Sequence, residues 1–230
     1  PISIADLVPS KKELNILDYL LIKNMHSKKI YLMRHAHSEA QDCKKMGMSR
    51  TDNALLDCHI TKFGEFQAKT AWNGEDELPE LIVVSPLTRS IQTALLAFEG
   101  FDIPVICHPG LREMGGNKLP ENCVRAKREL LRDKKLLKCG GFGDMDLSLI
   151  SDEAKDEERG SVKGAKKVNF MHDRLIEWLK ARPEQHILLV THRMVIKELL
   201  PSVFEEIENA KVFEANLYAG GYNLIKSGLI

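Results

Sequence analysis

The sequence lacks several features that mark secreted and membrane-spanning proteins. Its five cysteines, at positions 43, 58, 107, 123 and 139, are an odd number without the paired CxxC spacing of a zinc site or the density of a disulfide scaffold. We therefore expect reduced thiols and a cytoplasmic location. The longest apolar run of the amino-terminal region, Tyr19–Ile22, is too short for a signal-peptide core or a membrane span.

The chain also has no excess of charge of either sign. Lys plus Arg and Asp plus Glu both number 33 in 230 residues, so no overall electric field attracts nucleic acid or an anionic membrane. We expect neither as a partner, and the composition leaves the oligomeric state open. Any affinity for anions must come from a local cluster of basic side chains.

No internal repeat and no Gly/Ser-rich linker divides the chain, so a single core is expected. Leucines at positions 14, 17, 20 and 21 recur at helical spacing. They predict an amphipathic helix over residues 11–24, within an N-terminal helical extension of residues 1–29. One domain is predicted for residues 30–230, in which the Gly-rich and acidic stretch 138–165 is expected to be a mobile insertion.

Four short apolar runs have the length and composition of strands that are buried on both faces. They are Ile30–Met33, Leu81–Val84, Pro104–Cys107 and Ile187–Val190. Helical patterns lie between them: Ser85-Pro86 predicts a helix start that runs to about Phe98, and an apolar stripe through Leu179 predicts another helix before Pro183. The alternation predicts the α/β class, as a three-layer α/β/α sandwich around a mainly parallel sheet.

Ionisable side chains follow all four apolar runs, at the point where each predicted strand ends. They are Arg34-His35, Arg89 one helical turn beyond Ser85-Pro86, Arg112-Glu113 and His192. Because the carboxyl ends of parallel strands meet at one edge of a sheet, these groups should lie together. The guanidiniums of Arg34 and Arg89 and the two imidazoles would repel one another unless a multivalent anion lay between them. The sequence therefore predicts a phosphate-binding pocket.

Five blocks of sequence, in order, make a family resemblance specific. Leu32–Ser38 resembles the Arg-His-Gly block of the histidine phosphatase superfamily, the phosphoglycerate mutase-like proteins. Ile60–Ala68 resembles its Leu-Thr-x-x-Gly-x-x-Gln-Ala helix start, and Ser85–Ala94 its Ser-Pro-Leu-x-Arg-x-x-Gln-Thr-Ala block. Leu111–Glu113 and Val190–His192 complete the set. The resemblance covers residues 30–217 and implies the phosphoglycerate mutase-like fold.

The resemblance also implies roles for individual residues, each carried over to the position that matches a family motif. The catalytic set is His35 as nucleophile, Glu113 as proton donor and His192, protonated, as the second histidine; the substrate-binding set is Arg34, Arg89, Ser38 and Gln41. The implied activity is hydrolysis of a phosphomonoester through a phosphohistidine. The substrate would be a small phosphorylated metabolite or a phosphoprotein, and neither a cofactor nor a metal is expected.

Four positions depart from the family's pattern. Ala36 stands where the family usually has glycine, and His37 stands where Glu or Gln is common. Gln41 stands where many members have an asparagine that contacts phosphate, and Arg193 stands where a small residue usually follows the second histidine. These departures bear on the choice of substrate more than on the core chemistry. The side chains that select the substrate would come from residues 42–58, 114–147 and 201–216.

Three other interpretations of the reactive residues remain open. A phosphoglycerate mutase-type phosphotransferase would return the phosphoryl group to the same intermediate, although the segment after Glu113 does not match the basic and aromatic stretch of such mutases. A non-catalytic module could bind phosphate or protein without turnover. His35-Ala36-His37 is an HxH pair of the kind found in metal sites, but the Asp-His that a binuclear site requires does not follow it.

Two parts of the predicted site have competing interpretations. Arg125, which follows Cys123-Val124, is either a contact to a second anionic group of the substrate or an ordinary helix-surface arginine. If Glu113 is only a structural partner of the arginines, Asp57 or Asp144 would have to donate the proton instead. The positions of these carboxylates in the fold decide between them.

Overall fold

A six-stranded mixed sheet runs through the centre of the computed structural model, which describes residues 27–49, 51–72, 77–114, 119–152, 174–201, 206–218 and 225–229. The strands are β1 (Ser27–Arg34), β2 (Leu81–Val84), β3 (Val105–Cys107), β4 (His186–Thr191), β5 (Val212–Tyr218) and β6 (Ile225–Leu229). Their order is β3-β2-β4-β1-β5-β6. The first four strands in this order are parallel, and β5 and β6 are antiparallel to their neighbours. The helix predicted for residues 11–24 lies outside the described residues.

The four predicted strands are the four parallel strands of the sheet. β1 begins at Ser27, three residues before its apolar run, because it pairs with β5 from the Ser27–Tyr218 position onward. β5 and β6 were not predicted. β5 is an amphipathic strand whose last six residues alternate between buried and half-buried positions, so it lacks the continuous apolar run of the central strands.

Six α-helices accompany the strands within the described residues. They are α1 (Glu39–Lys45), α2 (Lys62–Lys69), α3 (Thr88–Ala97), α4 (Lys127–Leu130), α5 (residues 174–181) and α6 (Arg193–Leu199). α3 starts later than the Ser85-Pro86 pattern predicts. The Ser85 amide donates to Val190 O (3.0 Å) and so continues the ladder with β4, which keeps this residue out of the helix.

Helices cover both faces of the sheet because alternate residues of each buried strand point to opposite sides. On one face, Leu32, Val83 and Leu189 belong to a core that also contains α5 and α6 residues; on the other, Met33 and Val84 pack in a core with α3. The predicted three-layer α/β/α sandwich is thus confirmed. None of the described helices has both the length and the apolar character needed to cross a membrane.

The predicted mobile insertion is wrong for its described part, residues 138–152. Phe142, Met145, Leu147 and Ile150 of this stretch are buried in the same core as α3. The backbone also pairs with β3, since the Cys107 amide donates to Asp146 O (2.9 Å). Isolated apolar residues among glycines and acids therefore attach this stretch to the sheet. Residues 153–165 lie outside the described residues.

The loop after β1 is held close to α2 by a glycine that no other residue replaces without a clash. A Cβ atom built on Gly64 would lie 2.2 Å from the carbonyl oxygen of His37. The same approach lets Thr61, which caps α2, donate its amide to His37 O (2.9 Å) and accept from the Gly64 amide (3.1 Å). This close contact gives a physical reason for glycine in the Thr-x-x-Gly pattern.

We expect Gly64→Ala to lower the free energy of unfolding by about 1–3 kcal/mol, the usual cost of forcing extra atoms into a packed site. The loop that carries His35 and His37 must also move away from α2, so binding of orthophosphate should weaken. Gly140→Ala is the matched control because nothing lies within 4 Å of its added Cβ. Chemical denaturation checks the prediction, and equal stability of both variants would contradict it.

Candidate active site

The two histidines of the predicted site lie next to each other at the carboxyl ends of β1 and β4. Arg34 and Thr191 are register partners in these parallel strands, and the His35 amide donates to Thr191 O (2.8 Å). The imidazole centroids of His35 and His192 are 5.2 Å apart. Parallel pairing therefore places both rings at the same edge of the sheet.

The hydrogen bonds of His35 fix its tautomer. Its Nδ1 lies 2.7 Å from Ala36 O, and because a carbonyl oxygen only accepts, Nδ1 carries the proton. Burial, followed by the charges of Arg89 and Arg34, holds the pKa of His35 well below its ordinary value. The ring is therefore neutral, and Nε2 retains a free lone pair that can attack an electrophile.

His192 is fully buried, with Arg89 on one ring nitrogen and Ser85 on the other. Arg89 Nη2 lies 3.4 Å from His192 Nδ1, and since a guanidinium only donates, Nδ1 is the acceptor. His192 Nε2 then donates to Ser85 Oγ at 2.7 Å. Burial first, and Arg89 next, hold the pKa of His192 well below its ordinary value. The protonated His192 that the sequence predicts thus needs a nearby negative charge to offset these effects.

Arg89 and Arg34 lie beside the two histidines, and both raise the local positive potential. Arg89 is only 4% exposed; its Nη2 donates to Asn122 Oδ1 at 2.9 Å and its Nη1 to Glu121 O. Arg34 Nη1 donates to Ile207 O at 2.6 Å. Its Nε is buried and has no hydrogen-bond partner among the described residues. An unsatisfied guanidinium donor in a cluster of cationic groups fits an anion-binding site.

Glu113 follows β3 and lies within the electrostatic reach of both arginines. Burial raises the pKa of its carboxyl, while the Met114 amide, which donates to Oε1 at 2.8 Å, and the charges of Arg89 and Arg34 act in the opposite direction. The net effect favours a protonated carboxyl more than in a free glutamate. Glu113 is therefore suited to donate a proton at this site.

The turn that carries Glu113 is fixed by two side chains at the same sheet edge. His108 Nδ1 accepts from the Gly110 amide (3.0 Å), and Thr191 Oγ1 donates to Leu111 O (2.7 Å). Burial lowers the pKa of His108 to about 4, so its ring stays a neutral acceptor near neutral pH. The ends of β3 and β4 are thereby linked just before Glu113.

Ser38 and Gln41, predicted to bind the substrate, belong to a network that holds the loop of His35. Gln41 Oε1 accepts from the Ser38 amide (3.1 Å), and Gln41 Nε2 donates to Asn209 Oδ1 (2.8 Å). Asn209 Nδ2 in turn donates to His35 O (2.8 Å). Sequence reasoning missed Asn209, and a direct contact of Ser38 or Gln41 with phosphate stays a prediction.

Two of the residues that depart from the family's pattern, Ala36 and His37, are held by hydrogen bonds. The Ala36 amide donates to Thr93 Oγ1 (2.9 Å), and the His37 amide donates to Gln67 Oε1 (2.9 Å). His37 Nδ1 lies 3.1 Å from Thr61 Oγ1. In the part of the chain that the structure describes, no three His, Cys, Asp or Glu side chains are grouped in a way that could hold a metal ion.

Arg125 is not a helix-surface arginine, because it precedes α4 and its side chain is engaged within the protein. A contact with a second anionic group of the substrate stays a prediction. Nε of Arg125 lies 2.9 Å from Asp57 Oδ2 and its Nη1 lies 2.8 Å from Asp133 Oδ2. Asp57 is thus a buried ion-pair partner with both oxygens bonded, which leaves it unsuited to donate a proton. Asp144 is exposed and lines a surface cavity of about 490 Å³ with residues 98–105. Of these three carboxylates, Glu113 is the one whose charge interacts with Arg34 and Arg89.

Comparison with known proteins agrees with these observations. Residues 30–133 match the family model of the histidine phosphatase superfamily (branch 1). No curated protein matches the chain in sequence. The chain is similar to the structure of the alpha-ribazole phosphatase of Shigella flexneri, with a TM-score of 0.53, 19% identity and coverage of 87% of this chain and 95% of that one.

A second similar structure is the phosphoserine phosphatase of Entamoeba histolytica in complex with 3-phosphoglyceric acid. Its TM-score is 0.52, its identity 17%, and the match covers 87% of this chain and 95% of that one. At such identities these structures show the shared fold. The family model that residues 30–133 match is that of the family that the sequence blocks resemble.

Proposed function

From the histidine phosphatase superfamily assignment of residues 30–133, we propose that this protein is a metal-independent phosphomonoesterase that forms a phosphohistidine on His35. The observation that carries the proposal is the state of His35: a neutral ring whose Nδ1 is bonded to Ala36 O and whose Nε2 is free, under the charges of Arg89 and Arg34. A neutral imidazole is the form that attacks phosphorus. The fold shared with proteins named as phosphatases supports hydrolysis of small phosphorylated molecules.

In the first step, Nε2 of His35 attacks phosphorus and the bond from phosphorus to the ester oxygen breaks. The departing oxygen takes the bond's electron pair and receives the proton of Glu113. Arg34 and Arg89 balance the negative charge of the transferred group. A dianionic phosphate beside His192 raises the pKa of that ring, so protonation of His192 accompanies substrate binding.

In the second step, the Glu113 carboxylate takes a proton from water as the water oxygen attacks phosphorus. The bond between phosphorus and nitrogen breaks, its electron pair returns to Nε2 of His35, and orthophosphate leaves. Transfer to a second hydroxyl instead of water would make the protein a mutase. A screen of sugar phosphates, nucleotides and phosphopeptides, with a mutase assay alongside, separates the two outcomes.

We expect His35→Ala to reduce the hydrolysis of p-nitrophenyl phosphate by about a thousandfold or more, because no other group supplies the nucleophile. Initial rates measure the effect, and circular dichroism checks that the fold is retained. His186→Ala is the matched control, since His186 lies in β4 at the end opposite to His192 and pairs with Glu77 (3.2 Å). Substantial activity in His35→Ala would contradict the mechanism.

Activity should survive EDTA, because arginines and histidines supply the charge stabilisation. This outcome distinguishes the proposal from the HxH metal interpretation, in which His35 and His37 would be ligands. The measurement is the rate of hydrolysis before and after dialysis against the chelator. A loss of activity that zinc or manganese restores would favour the metal site.

Glu113→Gln should slow an alkyl phosphate by about a hundredfold or more, yet slow p-nitrophenyl phosphate much less, because nitrophenolate leaves without protonation. The alkyl substrate is the alkyl phosphate that the protein hydrolyses fastest in the screen. Phosphoenzyme should also accumulate with the aryl ester, since the same carboxylate activates water. Equal slowing of both esters with no trapped phosphoenzyme would show that Glu113 has only a structural role.

A further inference from the structure

A buried ion pair lies behind the proposed phosphate site and connects to it through Thr88. The side chain of Asp57 is fully buried and that of Arg125 is 18% exposed, with 2.9 Å between Oδ2 and Nε. Thr88 Oγ1 donates to Asp57 Oδ2 (2.6 Å) and accepts from Arg125 Nη2. Asp57 Oδ1 also accepts from the Thr88 amide (2.8 Å). The pair therefore fixes both the backbone and the hydroxyl of Thr88.

Thr88 is the first residue of α3 and directly precedes Arg89. The first amides of a helix have no partner within the helix, so the Asp57 carboxylate stabilises this end and determines where α3 begins. The backbone position of Arg89, one residue later, is set by the same contacts. The Asp57–Arg125 pair thus fixes the backbone position from which the Arg89 side chain extends.

The guanidinium end of Arg89 is held by the segment that leads to Arg125. Glu121 O and Asn122 Oδ1 accept from its Nη1 and Nη2. The Asp57 amide donates to Pro120 O at 3.1 Å, which joins this segment to the Asp57 loop. Both ends of the Arg89 side chain are therefore tied to the loop around Asp57 and to residues 120–125.

The energetics of Asp57 and Arg125 favour a role in orientation over one in stability. Asp57 has a φ of 44°, in the left-handed region that non-glycine residues seldom adopt. Buried ion pairs are often no more stabilising than apolar residues of the same size. A strained backbone that carries a buried ion pair is typical of a segment that fixes a functional group.

We propose that Asp57 and Arg125 are a positioning pair that orients Arg89 toward the phosphoryl group through Thr88. The inference rests on the proposed function, in which Arg89 holds that group. Small displacements of a binding group can cost about a hundredfold in rate even when they originate outside the reacting atoms. Loss of the Thr88 hydroxyl should therefore weaken anion binding, even though Thr88 does not contact the substrate in the proposed mechanism.

The test compares Thr88→Val, which keeps the shape but removes the hydroxyl, with Thr88→Ser, which keeps the hydroxyl. Titration calorimetry measures the affinity of the site for orthophosphate in the absence of turnover. The kcat and KM for p-nitrophenyl phosphate measure its effect on hydrolysis. Ile91→Val is the matched control, because Ile91 lies in the same helix and is fully buried in the apolar core. Thermal unfolding of all three variants separates a loss of stability from a loss of position.

We expect Thr88→Val to bind orthophosphate about tenfold more weakly, the size of one lost charge-assisted hydrogen bond, with kcat/KM reduced at least as much. Thr88→Ser should restore both the affinity and kcat/KM. Ile91→Val should leave the affinity and kcat/KM unchanged, although its thermal stability is equal to or lower than that of Thr88→Val. Wild-type affinity in Thr88→Val, or weakening that follows thermal stability in all variants, would overturn the positioning role.

The same experiment distinguishes this inference from the proposed function. A wild-type protein that binds orthophosphate but hydrolyses no ester would contradict the phosphatase proposal alone, since the positioning role is still read from orthophosphate affinity. A wild-type protein that does not bind millimolar orthophosphate would overturn both. Failure confined to the Thr88 variants would leave the phosphatase proposal intact.

Discussion

The repulsion among four basic groups at one edge of the sheet is the constraint on which this site depends. Parallel pairing of β1, β4 and β2 brings Arg34, His35, Arg89 and His192 together, and all of them are at least partly buried. Burial and the guanidinium charges lower the pKa values of both imidazoles. The arrangement thereby produces a neutral imidazole at His35 and a surplus of positive charge, which under the proposed function an anionic substrate neutralises.

Such a cluster requires rigid support, and the support comes from polar contacts in the surrounding loops. Asn209 holds the backbone of His35, and His108 and Thr191 hold the turn before Glu113. The close contact between Gly64 of α2 and the His37 carbonyl also fixes the loop after β1. The site is thus built from residues at the ends of strands and at the start of α3, positioned by a scaffold whose core is apolar.

The part of this architecture that follows local sequence patterns was predictable, and the part that depends on distant contacts was not. The four apolar runs predict the parallel strands and, through them, the meeting of Arg34-His35 with His192. The amphipathic β5 has no such run, and its place in the sheet follows from pairing with β1 on one side and β6 on the other. Asn209, Asn122 and Asp57 have their roles only through partners 31 or more residues away along the chain. Neither spacing nor composition contains a signal for such pairs.

The most direct test of the account is the position of the phosphate on the trapped enzyme. Rapid quenching during turnover of p-nitrophenyl phosphate, followed by alkaline digestion and ³¹P NMR against synthetic standards, identifies the modified atom. The hydrogen bond from Nδ1 of His35 to Ala36 O predicts that the phosphate is on Nε2 of His35, is labile to acid and is stable to alkali. Phosphate on Nδ1, on another residue, or on no residue during active turnover would contradict the central claim.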